Sequence, residues 1–140
     1  MSLYIIAVLV SWFCVHLVKY ILICKKNKSY KFSLEVFDSG GMPSAHTAIL
    51  ASVTTVVGLS DGFNSGIFAL AAVMLAIVMH DATRVRRSSG EQGLAIIKII
   101  KEQKSKIEIP HIYKGHTPPE VIFGLSLGVI IGLIVFLATK

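Results

Sequence analysis

Residues 3–24, LYIIAVLVSWFCVHLVKYILIC, decide what kind of protein this is. A helix needs roughly 20 mostly apolar residues to cross the hydrocarbon of a bilayer, and here only His16 and Lys19 interrupt the apolar run. A cleaved secretion signal is the alternative. It fits worse, because the segment lacks a basic start, its apolar run is too long, and no small-residue cleavage site follows. Cys14 and Cys24 both fall inside the stretch. One helix cannot bring them together in a disulfide, so they read as inert thiols of the packed interior.

Working outward, Thr117–Thr139 is the second clearest span, with no charged residue between Val121 and Ala138. Ser44–Ser60 and Phe63–Met79 are shorter apolar runs separated by Ser60-Asp61-Gly62, which reads as the tight turn of a helical hairpin. The chain has 140 residues, 54% of them hydrophobic, and its mean hydropathy of +0.71 exceeds what the core of a soluble domain of this length needs. The expectation is an all-α, integral membrane bundle of four transmembrane helices in a single domain, residues 1–140. The spans fall at about 3–24, 44–60, 63–82 and 117–139, with cytoplasmic loops at 25–43 and 83–116.

Charge sets the orientation, since short loops rich in Lys and Arg stay on the cytoplasmic side. Lys25, Lys26, Lys28 and Lys31 follow the first span, and Arg84, Arg86, Arg87, Lys98, Lys101, Lys104, Lys106 and Lys114 lie between the third and fourth. Only Lys140 stands on the other side. Both termini are therefore expected outside a cell membrane and both basic loops in the cytoplasm. The net charge of +6 is then a one-sided field facing anionic headgroups rather than a surface for nucleic acid.

Within the second loop, Gly93, Ile96, Ile97 and Ile100 share one helical face while Lys98, Lys101 and Glu102 lie largely opposite. That pattern predicts an amphipathic helix lying in the bilayer interface; the alternative is a fifth buried helix, which its lysines disfavour. Gly124, Gly128 and Gly132 recur every four residues along the last span and offer a smooth strip for close helix approach. The strip serves either another span of this chain or a second copy in a homo-oligomer.

Three polar clusters fall at the cytoplasmic ends of the spans. Gly40-Gly41-Met42-Pro43-Ser44-Ala45-His46 feeds the second span, with Ser44 as its N-cap. Free backbone N–H groups around Gly41 and Ser44 and the positive helix end suit a phosphate, which His46 could protonate. The plain alternative is a capped helix start whose histidine faces the headgroups. His80-Asp81-Ala82-Thr83-Arg84-Val85-Arg86-Arg87 closes the third span. Arginines there serve as interface anchors, but Asp81 is costly at the membrane boundary without a partner. It could orient an arginine that grips phosphate through both prongs of its guanidinium. Gly115-His116-Thr117-Pro118-Pro119-Glu120 opens the last span, with prolines suited to a first helical turn. If the helix includes His116, Glu120 lies one turn away on the same face; if it begins at Pro118 the two can still meet. The pair has the logic of an activated nucleophile and its orienting carboxylate, the alternative being a Glu that only complements the helix dipole.

Gly41-Met42-Pro43-Ser44-Ala45-His46-Thr47-Ala48, Asp81 to Arg87 followed by Gly90 and Gln92, and Gly115-His116-Thr117-Pro118-x-Glu120-Val121 together resemble the divergent branch of the type 2 phosphatidic acid phosphatase and vanadium haloperoxidase superfamily. The resemblance covers nearly the whole chain. It implies that His46, in the position of the P-S-G-H histidine, protonates a leaving oxygen. It also implies that His116 is the nucleophile and that Glu120, in place of an aspartate, orients it. The superfamily's K-x6-R-P motif and the Ser-Arg pair before its last histidine are absent, Lys104-Ser105 and Ile109-Pro110 occupying the latter neighbourhood. The phosphate grip falls to Arg86 and Arg87, supported by Asp81, Gln92, Ser44 and Gly41. The resulting expectation is a lipid phosphate phosphatase acting through a phosphohistidine, with no metal or other cofactor. Its partners are the bilayer and a phosphatidate-like or isoprenoid phosphate substrate. A non-catalytic binding or transport module for a phosphorylated lipid or anion is the rival, favoured by His16 and Lys19 inside the first span; a structural subunit is the third reading.

Overall fold

The computed structural model of the chain describes residues 2–28, 41–109 and 112–140. Lys31 and Gly40, named above, lie outside the described residues, as does most of the first basic loop. The described residues form helices and connecting turns, with no strand among them. The helices are α1 (Leu3–Asn27), α2 (Ala45–Asp61), α3 (Gly66–His80), α4 (Arg86–Glu102) and α5 (Pro118–Thr139), and a single π-helical turn, Asp81–Val85, joins α3 to α4.

Helix α2 is the centre of the bundle and packs against α1, α3 and α5. Its inward face is built of small side chains, and Ala48, Ala51, Thr47 and Ser52 are all essentially inaccessible. The glycine strip of α5 meets that face. A Cβ on Gly124 would lie 2.7 Å from the Ser44 carbonyl oxygen, one on Gly128 would overlap the Ala48 carbonyl oxygen, and one on Gly132 would lie 2.6 Å from that of Ser52. Ser44, Ala48 and Ser52 are themselves spaced every four residues, so two parallel helices meet along one small-residue seam where dispersion replaces any hydrophobic drive. The strip is thus occupied by α2 of the same chain, and a second copy would have to use another face. Helix α1 runs antiparallel to both. Ala7, Val56, Ile131 and Val135 form the apolar cluster at its N-terminal end, and the Tyr4 hydroxyl donates to the Asp61 carboxylate at 2.7 Å.

The α2–α3 hairpin turns where expected. Gly62, at φ +91°, takes a backbone conformation that side chains disfavour, and Ser65 caps α3 by accepting the Phe68 N–H at 3.1 Å. Among the described residues, three helices are long and apolar enough to cross a bilayer: α1, the continuous helix Gly66–Glu102, and α5. Helix α2, with 17 residues, reaches only about 25 Å at the usual rise and does not meet that standard.

The expected cytoplasmic loop 83–116 needs correction. Residues 83–102 continue α3 as helix, and the amphipathic segment, expected as a separate interfacial helix, is the second half of one 37-residue helix. The reason is chemical: between His80 and Gln103 no proline interrupts the backbone ladder, and a polar sequence leaving an apolar stretch remains a good helix. At roughly 1.5 Å per residue this helix is about 55 Å long, well beyond the roughly 30 Å of hydrocarbon. Of the predicted apolar face, Ile100 is buried and Gly93 lies beneath the Ile112 side chain, while Ile96 stays 51% exposed.

Candidate functional site

The N-termini of α2 and α5, the α3–α4 junction and the C-terminal half of α1 converge at one end of the bundle. Parallel packing of α2 and α5 puts their first turns side by side, and the Ser44 N–H donates to the Glu120 carbonyl at 3.3 Å across them. The Ser44 side chain is buried and pairs with the Thr47 hydroxyl at 2.9 Å. Ser44 therefore fixes the seam and does not line the cavity described below; Gly41, at φ +75°, lies outside it too.

The π turn does the next piece of positioning. Five residues span about 1.4 turns of an α-helix, so Asp81 and Arg86 would ordinarily point apart; the wider ring brings them onto one face. The Arg86 guanidinium donates to the Asp81 carboxylate at 2.8 Å. The turn also tips a carbonyl out of the helical ladder, and that of Ala82 accepts the His116 N–H at 3.0 Å. The segment before α5 can lie this close because Gly115 packs on the Arg87 backbone, where any Cβ would collide, and Gly90 faces the Tyr113 carbonyl, which a Cβ would approach to 3.1 Å.

His116 is 3% exposed. Thr117 and Glu120 form a reciprocal capping box at the start of α5, in which Glu120 Oε2 accepts the Thr117 N–H at 2.9 Å. The same oxygen lies 3.5 Å from His116 Nδ1, an ion-pair separation at which no hydrogen bond is closed. The helix begins at Pro118, so histidine and carboxylate meet across the cap rather than within a helical turn. Burial holds the His116 imidazole below its ordinary pKa; Glu120 opposes that, while the charges of Lys19 and Arg86 add to it.

These groups border a cavity of about 840 Å³. His46, Asp81, Arg86, Gln92 and His116 line it together with Lys19 and His16 of α1. The rest of its wall is largely apolar, from Trp12, Ile49, Val85, Ile96 and Ile112. Arg87 is not brought there. It pairs with Glu91 at 3.1 Å and lines a separate cleft with Thr83 and Pro118. Of the two arginines expected to grip phosphate, Arg86 alone lines this cavity, because neighbouring residues on a helix point about 100° apart. Lys19 is the residue that sequence reasoning left out of the site. An ionisable side chain within an apolar span was the signal for it. Among the described residues, no three His, Cys, Asp or Glu side chains converge as metal ligands.

A buried imidazole beside a carboxylate, a second imidazole and an arginine on one wall can attack, protonate and neutralise a phosphoryl group. Comparison with known proteins agrees in family. The sequence profile of the divergent PAP2 family matches residues 2–131. The uncharacterized membrane protein YuiD of Bacillus subtilis is 35% identical over 117 residues, covering 71% of this chain and 72% of the relative. No solved structure matches the chain. With three helices suited to crossing a bilayer and a match over nearly its full length, the chain is a membrane protein that belongs to the divergent PAP2 family.

Proposed function

We propose that this protein is a membrane phosphohydrolase that removes phosphate from a lipid phosphate or diphosphate, phosphatidate-like or isoprenoid, through a phosphohistidine intermediate. The observation that carries the reading is that His46 and His116, from distant stretches of sequence, line one cavity with Arg86. In the first step His116 Nε2 attacks phosphorus, Glu120 holding the Nδ1 proton, and the bond from phosphorus to the lipid oxygen breaks. His46 gives its proton to that departing oxygen. In the second step His46 takes a proton from water, the new hydroxide displaces His116 from phosphorus, and inorganic phosphate leaves. The Nδ1–Glu120 separation of 3.5 Å is of the kind that tightens when substrate arrives. Arg86, oriented by Asp81, balances charge on the phosphoryl oxygens. The apolar part of the wall suits the first carbons of a lipid tail.

The reading includes α2 as a fourth crossing, its short length offset by enclosure among the other helices. It includes the basic ends on the cytoplasmic side with both termini outside. A cysteine introduced at Lys28 should resist a membrane-impermeant thiol reagent in intact cells; labelling there would reverse the orientation.

Release of phosphate from a panel of lipid phosphates by the purified protein, lost in His116→Ala, tests the reaction. A second reading, binding or transport without hydrolysis, is favoured by Lys19 and His16 facing the same cavity. Saturable binding of a lipid phosphate with no phosphate release would select it.

A further inference from the structure

The second cleft takes no part in the reaction proposed above. Thr83, Arg84, Arg87, Ser88 and Glu91, from the π turn and α4, line it together with Pro118 from the first turn of α5, around a volume of about 620 Å³. Its charges do not cancel. Glu91 is the carboxylate on its wall, and Arg87 already holds it at 3.1 Å. Arg84 is exposed and forms no ion pair with any described residue, and nearby Asp81 is engaged by Arg86 at 2.8 Å. An anion is the occupant that the remaining charge favours.

Depth in the bilayer says which anion. From Gly66, the first residue of α3, to Arg84 the continuous helix rises about 27 Å at roughly 1.5 Å per residue, close to the roughly 30 Å of hydrocarbon. Arg84 therefore stands at the level of the lipid headgroups. No side chain of α3 is buried, and Leu70, Val73 and Ile77 are 65, 55 and 56% exposed, a surface left to acyl chains. A cation above such a surface meets a phosphate that carries its own apolar tail. We propose that this cleft binds the phosphate of an anionic phospholipid of the bilayer, with Arg84 as the principal contact and the acyl chains lying along α3. The guanidinium fork matches two phosphate oxygens, and the Ser88 hydroxyl on the same wall can donate to the headgroup. The lipid would tie α4 to the start of α5, since both line the cleft. The assignment is independent of the proposed reaction, because neither His46 nor His116 lines this cleft and the ligand is a phosphodiester rather than the monoester the reaction would consume.

Thermal unfolding of the full-length protein in neutral detergent tests it, with phosphatidylglycerol, phosphatidylcholine or inorganic phosphate titrated in. Phosphatidylglycerol should raise the wild-type Tm saturably, and the other two should not. In Arg84→Gln the phosphatidylglycerol concentration giving half the shift should rise about fivefold or more, the weight of one basic side chain facing anionic lipid. Lys101→Gln, at an exposed lysine farther along the same helix, should keep the wild-type midpoint, and so should Arg86→Ala in the reaction cavity. Because Arg84 is exposed, the lipid-free Tm of Arg84→Gln should match that of the wild type. The proposal is overturned if Arg84→Gln keeps the wild-type midpoint, or if phosphatidylcholine or inorganic phosphate stabilises as well as phosphatidylglycerol. Equal weakening in Lys101→Gln would mark a diffuse basic field, and a response lost in Arg86→Ala alone would put the lipid in the reaction cavity; either result overturns it too. Absence of phosphatase activity from the wild type would sink the hydrolase reading and leave this assignment standing.

Discussion

Replacing Gly128 by alanine strikes the seam from which the site is suspended. The added Cβ would overlap the Ala48 carbonyl oxygen and sit 2.7 Å from the Ala51 Cβ, whereas carbon atoms pack comfortably at about 3.5–4.0 Å. Helices α2 and α5 must therefore separate locally by roughly 1 Å. The neighbouring approaches at Gly124 and Gly132 are also tight, at 2.7 and 2.6 Å, so the strain cannot be absorbed by sliding along the seam. Overpacking of this kind costs about 1–3 kcal/mol, which for a chain of this size is a fall in Tm of roughly 5 °C or more. Two turns along α5, the Ser44–Glu120 contact and the capping box that holds Glu120 beside His116 share the same seam, so phosphatase activity should fall with stability. Ile134→Ala, at a position 59% exposed on the outer face of the same helix, is the control and should change Tm by less than about half as much. Thermal unfolding in detergent reads both variants. A Gly128→Ala protein as stable as the Ile134→Ala control would refute the parallel α2–α5 packing.

Two further outcomes follow from the site. Arg86→Ala should raise KM for a lipid phosphate about tenfold or more, whereas Arg87→Ala, in the other cleft with Glu91, should leave KM within about twofold; equal losses would contradict the positions of the two side chains. Because burial lowers the His116 pKa from its ordinary 6.5, the acid limb of the kcat profile should fall below that value. Glu120→Gln, by removing the carboxylate that opposes the shift, should move the limb lower still. The unfolded imidazole binds protons more readily than the folded one, so stability should rise with pH in the window below 6.5 and level off above it. Titrated unfolding of His116→Asn should show a shallower slope.

Much of the bundle was legible because periodicity and length report helices directly. Leu3–Asn27 and Pro118–Thr139 stand out as apolar runs, and Asp61-Gly62 announces its turn. The gathering of His46, Asp81 and His116 at one end followed from the alternation of spans. The continuity of the helix past His80 was not legible, since a π turn leaves no mark on composition and its polar residues imitate a loop. That one misreading left the facing of Arg86 and Arg87 undetermined, because only a defined helix face separates them. Helix α2 was hard to weigh for another reason: its small residues lower its hydropathy while making it the best-packed element. Lys19 was visible as an anomaly in an apolar span, but its place at the site depends on how α1 lies against α2 and α5, which no local pattern encodes.

The claim on which the account depends is that His116 carries the phosphoryl group while His46 serves the same cavity. Rapid acid-free quenching of purified protein with phosphorus-labelled phosphatidate, followed by peptide mapping, tests it directly. The account predicts an alkali-stable, acid-labile phosphoryl group on His116 that is absent in His116→Ala, with slower formation and slower hydrolysis in His46→Ala. Turnover that proceeds undiminished in His116→Ala, or a label residing on any other residue, would contradict it.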